Sequence, residues 1–221
     1  MLSKGEAMNN KPLPYEFHVT VEAASTDIDR FRTRAEELGA KAIVLDLGIN
    51  NQSVLQDVMT SSTKKLDSDQ AALDEVERIA AGLQGSGLNV IRKKIESVPW
   101  HPLAPQITSE PMPDGCYFES HMSVLCAPDD VQYLREGVAK TADRLPLHIS
   151  RNAFKPVNEL GLLTIMATLR DYDTYSEEFA ANVEASRDRL SELGFELRKA
   201  PEVEFALYDT NTHQDDAWMK R

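Results

Sequence analysis

Tyr15-Glu16-Phe17-His18-Val19-Thr20-Val21 returns far along the chain in altered form, as Phe118-Glu119-Ser120-His121-Met122-Ser123-Val124. Both stretches read Glu-x-His-x-(Thr/Ser)-x-Val, and an Asp-rich helix start follows each. Side chains alternate across a strand, so Phe17, Val19 and Val21 take one face and Glu16, His18 and Thr20 the other. The second stretch gathers Glu119, His121 and Ser123 on one face in the same way. A repeated strand of this kind predicts an internal duplication.

The neighbouring segments fit two copies of one unit. In the first, Ser25 or Thr26 is expected to cap a helix striped by Ile28, Phe31, Ala35 and Leu38, with Gly39 as its stop. Ala42–Leu47 and Leu55–Ser61 read as strands, Ser68–Leu83 as a helix and Asn89–Glu96 as a closing strand. In the second, Tyr117–Leu125 is a strand, Asp129–Leu145 a helix, and Leu147–Phe154 and Leu162–Asp171 are strands. Thr174 is expected to cap a helix that ends at Gly194; Phe195–Lys199 and Glu202–Tyr208 then extend.

Each order is β-α-β-β-α-β, the ferredoxin-like plan, with helices on one face of an antiparallel sheet. The expected fold class is therefore α+β, with two pseudo-repeated units. Residues 14–97 form the first and 116–211 the second. Residues 1–13 are expected as a disordered leader and 212–221 as a polar tail, with Trp218 able to dock. Between the units, 98–115 holds Pro99, Pro102, Pro105, Pro111 and Pro113, the composition of an extended linker. Trp100 is expected to anchor that linker, and His101 and His213 to face solvent. The first strand of such a unit is central, which sets Glu16, His18 and Thr20 in the middle of an open face. That face needs a partner, supplied by sheet-on-sheet packing or by joined edges.

Composition narrows the function classes. A net charge of −12 over 221 residues opposes non-specific nucleic-acid binding and attraction to anionic membranes. No apolar run reaches the roughly 20 residues of a membrane span, and the N-terminus lacks a secretion signature. Cys116 and Cys126 flank one extended strand, about 30 Å apart at strand rise, too far for a disulfide. A cytoplasmic location is expected. The oligomeric state stays open.

The paired set of Glu16, His18 and Thr20 with Glu119, His121 and Ser123 carries the candidate chemistry. Neutral imidazole is a base and imidazolium an acid near neutral pH, and an adjacent carboxylate favours the charged form. Two His-x-(Thr/Ser)-x segments resemble the two-histidine phosphoesterase family. The resemblance implies one imidazole as base, the other as acid on a phosphodiester or nucleotide, and hydroxyls on the phosphate. His18 and Thr20 match its first motif. Its second is matched by His121-Met122-Ser123 or by His148-Ile149-Ser150-Arg151. The Glu before each His is not part of that family's pattern. The Tyr-Glu-Phe-His start and His-x-Ser-Arg-Asn centre are also similar to bacterial proteins without a known activity.

The expected catalytic set is His18, His121, Glu16 and Glu119. Thr20, Ser123, His148, Ser150, Arg151, Lys155, Arg170 and Arg92 are the expected substrate-binding set, the cations holding a small anionic substrate. Lys93, Lys94 and Arg198 read as solvated charges. No cofactor is expected. Two Glu-x-His pairs offer ligands for a divalent ion, but no metal motif accompanies them, so no metal is expected either. The competing class is a non-catalytic protein that binds a small molecule or another protein on its open sheets, the Glu/His/Thr faces being wet sheet surface.

Overall fold

A computed structural model describes residues 11–50, 53–139, 146–155 and 157–215. Its elements are β1 (Leu13–Val21), α1 (Ile28–Glu37), β2 (Lys41–Asn50), β3 (Ser53–Leu66), α2 (Asp69–Gln84) and β4 (Val90–Ser97). After the Pro-rich segment come β5 (Tyr117–Cys126), α3 (Val131–Ala139), β6 (His148–Asn152), β7 (Leu163–Asp171), α4 (Ser176–Glu192), β8 (Glu196–Leu197) and β9 (Val203–Asp209).

The strands do not make two open sheets. They run β7-β6-β2-β3-β1-β4-β9-β5, and β5 pairs back to β7, closing an eight-stranded antiparallel barrel. The short β8 adds to β5 at Val124 and Leu125. The expected pair of ferredoxin-like units, the internal duplication and the α+β class are overturned by this closure. Two seams make it. β2 pairs with β6 through Leu45↔Asn152, Asp46↔Arg151 and Leu47↔Ser150, and β4 pairs with β9 through Lys94↔Asp209 to Ser97↔Phe205. The physical reason is edge satisfaction. An open sheet leaves two rows of unpaired N–H and C=O groups, and closure pairs them all.

Closure also changes the meaning of each alternating strand. Phe17, Val19 and Val21 do point to an apolar layer, under α1 and α2, with Phe31, Val76, Ile79 and Leu83. Met122 and Val124 do the same under α3 and α4, with Leu134, Phe179, Val183 and Leu190. The helices thus cover the outside of the barrel wall. The opposite faces of the strands line a lumen, so Glu16, His18 and Thr20 do not lie on an open sheet face.

Local signals explain where the helices start. Asp27, not Ser25 or Thr26, caps α1, accepting from the Asp29 and Arg30 amides at 3.1 Å each. Ser25 and Thr26 instead donate back to Glu22. Ser68 caps α2 through the Ala71 amide. The cap position of α4 is Tyr175, not Thr174, whose hydroxyl turns to the Tyr175 carbonyl and the Glu178 carboxylate. Gly39 (φ 77°) and Gly194 (φ 87°) take the left-handed turn just past α1 and α4, a conformation only glycine adopts without strain. A 3-10 turn at Pro128–Asp130 precedes α3, which is described to Ala139; the remainder of the expected 129–145 helix lies outside the described residues. The first ten residues of the expected leader and Trp218 lie outside them too.

The Pro-rich segment is pinned by a residue expected in solvent. His101 is 2% exposed, its Nε2 is 2.9 Å from Asp69 Oδ1, and its ring lies 6.0 Å from both Tyr15 and Phe205. Trp100, the expected anchor, is 66% exposed. Cys116 and Cys126 are free thiols, both buried. Among the described residues no helix is long and apolar enough to cross a membrane.

Candidate functional site

The lumen encloses a cavity of about 260 Å³. Its two sides differ. Strands β1, β4, β5 and β9 contribute mostly ionisable groups, whereas β2, β3 and β7 contribute Ile43, Leu45, Leu47, Met59 and Met166 beside Lys41, Asp57 and Arg170. Both halves of the chain therefore build one cavity.

At the centre of the charged side stands Lys94. Its Nζ lies 2.9 Å from Glu96 Oε1 and 2.8 Å from Glu119 Oε2, and the side chain is nearly inaccessible. Burial alone would lower the lysine pKa; Glu119 and Glu96 reverse that and hold it well above its ordinary value. Burial pushes the Glu119 carboxyl up, but Arg170, Lys94 and His121 together hold it well below the ordinary carboxylate range. Arg170 donates to Glu119 Oε1 at 2.9 Å and 2.5 Å, and its guanidinium sits 4.5 Å over the Tyr117 ring. Arg92 grips Asp209 with two hydrogen bonds of 2.9 and 2.6 Å, and Tyr117 donates to the same carboxylate at 2.8 Å.

The two imidazoles join this network differently. His18 is 8% exposed. Its Nδ1 is 3.1 Å from the Thr60 carbonyl and its Nε2 is 2.9 Å from Glu96 Oε2, with Glu16 Oε1 at 3.4 Å. Both ring nitrogens therefore face acceptors. Burial opposes the charge, but the Glu96 hydrogen bond and the charges of Glu96 and Glu16 outweigh burial and Lys94, so the pKa is raised. His121 is more open, with 35% of its side chain exposed. Its Nδ1 meets Thr168 Oγ1 at 2.9 Å and its Nε2 lies 3.5 Å from Glu119 Oε2. Against burial, Glu119 and then Glu204 raise its pKa to about 9.

Glu204 faces the same space from β9, in register with Glu119. Burial, then the charges of Glu96 and Glu16, push its carboxyl to about 7, with His121 and Lys94 pulling the other way. A cationic imidazole and a carboxyl that titrates near neutrality thus share one cavity.

Glu96, Glu119 and His121 bring ligand atoms within 4.8 Å of one another, a spacing that suits a divalent ion. The Lys94 ammonium already bridges the two carboxylates and supplies positive charge there.

The cavity gathers Glu16, His18, Thr20, Glu119, His121 and Ser123 from the two repeated strands, and Ser150, Lys155, Arg170 and Arg92 from the rest of the expected set. It does not gather Arg151 or His148. Arg151 lies on the outer side of β6, 3.4 Å from Asp46 Oδ2, because alternation sends it opposite to Ser150. His148 shares the inward side of β6 and is in register with Thr168, but it lies off the cavity lining. Arg92 and Arg170, expected to hold an anion, are already engaged by Asp209 and Glu119. Lys94, read as solvated, is buried at the centre. The pattern Arg92-x-Lys94-x-Glu96 carried the missed signal: its alternation puts all three on one face of a central strand. Glu202-x-Glu204 is a second such signal.

No family model matches the chain, and no curated protein sequence matches it. Among solved structures it is similar to a VAO-type flavoprotein from Myceliophthora thermophila C1, at 10% identity and a TM-score of 0.26. The match covers 87% of this chain, which spans 40% of the flavoprotein's length. A likeness this slight carries no argument about fold or activity.

Proposed function

We propose that the chain is an enzyme that hydrolyses a small phosphoester inside the barrel lumen, with His121 as general acid and Glu204 as general base. The observation that carries this reading is that these two groups face one cavity from adjacent strands. Their pKa values, about 9 and about 7, leave one protonated and the other ready to accept a proton between those limits. Glu204 takes the role expected of a second imidazole, since His18 Nε2 is held by Glu96 at 2.9 Å, whereas His121 Nε2 lies 3.5 Å from Glu119 and can turn its proton to a departing oxygen.

In the step envisaged, the water oxygen bonds to phosphorus while the ester P–O bond breaks. The water's proton passes to Glu204, and the His121 proton passes to the departing oxygen. Thr168 holds the imidazole in place at Nδ1, and the nearby Glu119 carboxylate keeps it charged.

The test is turnover of a panel of cyclic and linear phosphodiesters and phosphomonoesters. Hydrolysis that falls about 100-fold or more in kcat in both His121→Ala and Glu204→Gln supports the assignment. Turnover of none of the panel, or turnover that both variants retain, overturns it. The second reading is a non-catalytic small-molecule binder using the same lumen. The ion pairs that fix Lys94, Arg92 and Arg170 favour it, because such a network also makes a rigid receptor.

A further inference from the structure

We infer that the lumen takes a small amphipathic oxyanion, its apolar body against Ile43, Leu45, Leu47, Met59 and Met166 and its anionic head at Lys41 and Lys155. This goes beyond the phosphoester reading by naming a ligand class, an aryl or short alkyl phosphate first held at the opening; hydrolysis further requires its phosphorus to reach His121 and Glu204.

The cavity's division supports it. In barrel order, the apolar residues stand on β2, β3 and β7, which also carry Lys41, Asp57 and Arg170, while β1, β4, β9 and β5 contribute no aliphatic side chain to the lining. A wholly polar ligand would leave the apolar side chains bare, and an uncharged apolar one would strip water from the Lys41 and Lys155 ammonium groups. The volume of about 260 Å³ lies just below the common range for ligand sites, a size that suits a small molecule.

The anionic head follows from the opening. Lys41, Lys199 and Glu202 are exposed there, and Lys155 stands part-buried among them. Lys199 pairs with Glu202 at 2.9 Å. Among the described residues no carboxylate comes within ion-pair distance of the Lys41 or Lys155 ammonium. Burial, followed by repulsion from Lys41, Arg198 and Lys199, lowers the Lys155 pKa, and an oxyanion would relieve that repulsion.

The test uses full-length protein with ¹³C-methyl methionine, titrated with phenyl phosphate, inorganic phosphate and benzyl alcohol. Phenyl phosphate is expected to move the Met59 and Met166 signals and leave that of Met122, buried outside the barrel wall, in place. Inorganic phosphate and benzyl alcohol should each bind at least about 10-fold more weakly, lacking one half of the recognition. A Lys41→Gln, Lys155→Gln variant should weaken phenyl phosphate about 10-fold or more. Lys155→Gln alone serves if the double variant misfolds. Silent Met59 and Met166 signals, benzyl alcohol binding as tightly as phenyl phosphate, or unchanged affinity in the lysine variants overturns the inference. Binding as described with no turnover of any ester would sink the catalytic reading and leave the ligand class standing.

Discussion

Lys94 on β4 reaches across β9 to place its ammonium 2.8 Å from the Glu119 carboxylate on β5. The contact ties the first half of the chain to the second inside the lumen. Replacing a buried ion pair with apolar groups is often neutral, but removing one partner is not, because the other charge stays buried. Lys94→Met leaves Glu96 and Glu119 facing each other without their ammonium. The expected cost is about 3–5 kcal/mol. That is a Tm lower by roughly 6–20 °C for a chain of this size. Arg170 still holds Glu119, which favours the lower end. Thermal unfolding followed by circular dichroism checks it; an unchanged Tm would mean that the ammonium does not bridge the carboxylates.

Stability should fall as pH rises from weakly acidic to alkaline. Glu204 has a folded pKa of about 7, above its ordinary 4.5. Between those values the folded state binds the proton better, so stability declines with rising pH across that window. His121, at about 9 against 6.5, contributes stability that is complete below 6.5 and lost as pH climbs through 9. Denaturant midpoints measured from pH 5 to 9 should show both losses. Glu204→Gln should flatten the lower window and keep the upper one at a somewhat lower pH, since Glu204 no longer helps to raise His121; a variant with the wild-type slope below pH 7 would contradict this.

The start of α1 gives a local test. Asp27→Ala removes the side chain that satisfies the Asp29 and Arg30 amides and should cost about 1 kcal/mol. Ser25→Ala removes only exposed bonds to Glu22 and should stay within about 0.5 kcal/mol. Urea melts of the two variants decide it, and equal losses would mean that the cap is misplaced.

Arg151 and Lys155 are close in sequence and differ in side. Arg151→Ala, on the outer surface beside Asp46, should leave kcat and KM for a phosphoester unchanged. Lys155→Gln, at the cavity opening, should raise KM with little change in kcat, the pattern of lost uniform binding. The reverse pattern would return Arg151 to the site.

Strands and helices were legible because their signals are local. The alternation at Glu16–Val21 separates an apolar face from a polar one whatever that polar face meets. What it meets is not a local property. Water, a second sheet and a closed lumen all accept Glu16, His18 and Thr20. The choice rests on the pairing of β2 with β6 and of β4 with β9, across more than a hundred residues, and only backbone hydrogen bonds record it. Lys94 was misread for the same reason: charges on an edge strand are solvated, and β4 ceases to be an edge once β9 joins it. Arg151 followed the opposite course. Its place after a His-x-Ser triplet suggested a site, and strand alternation alone already sent it to the other side from Ser150.

The pH dependence of phosphoester hydrolysis addresses the acid/base assignment most directly. The account predicts a bell in kcat/KM whose acid limb lies near 7, from Glu204, and whose alkaline limb lies near 9, from His121. Residual activity of Glu204→Gln should lose the acid limb and keep the alkaline one, moved to a somewhat lower pH without the Glu204 charge. A profile with neither limb, or one that keeps its acid limb in Glu204→Gln, would contradict the assignment of catalysis to these two groups.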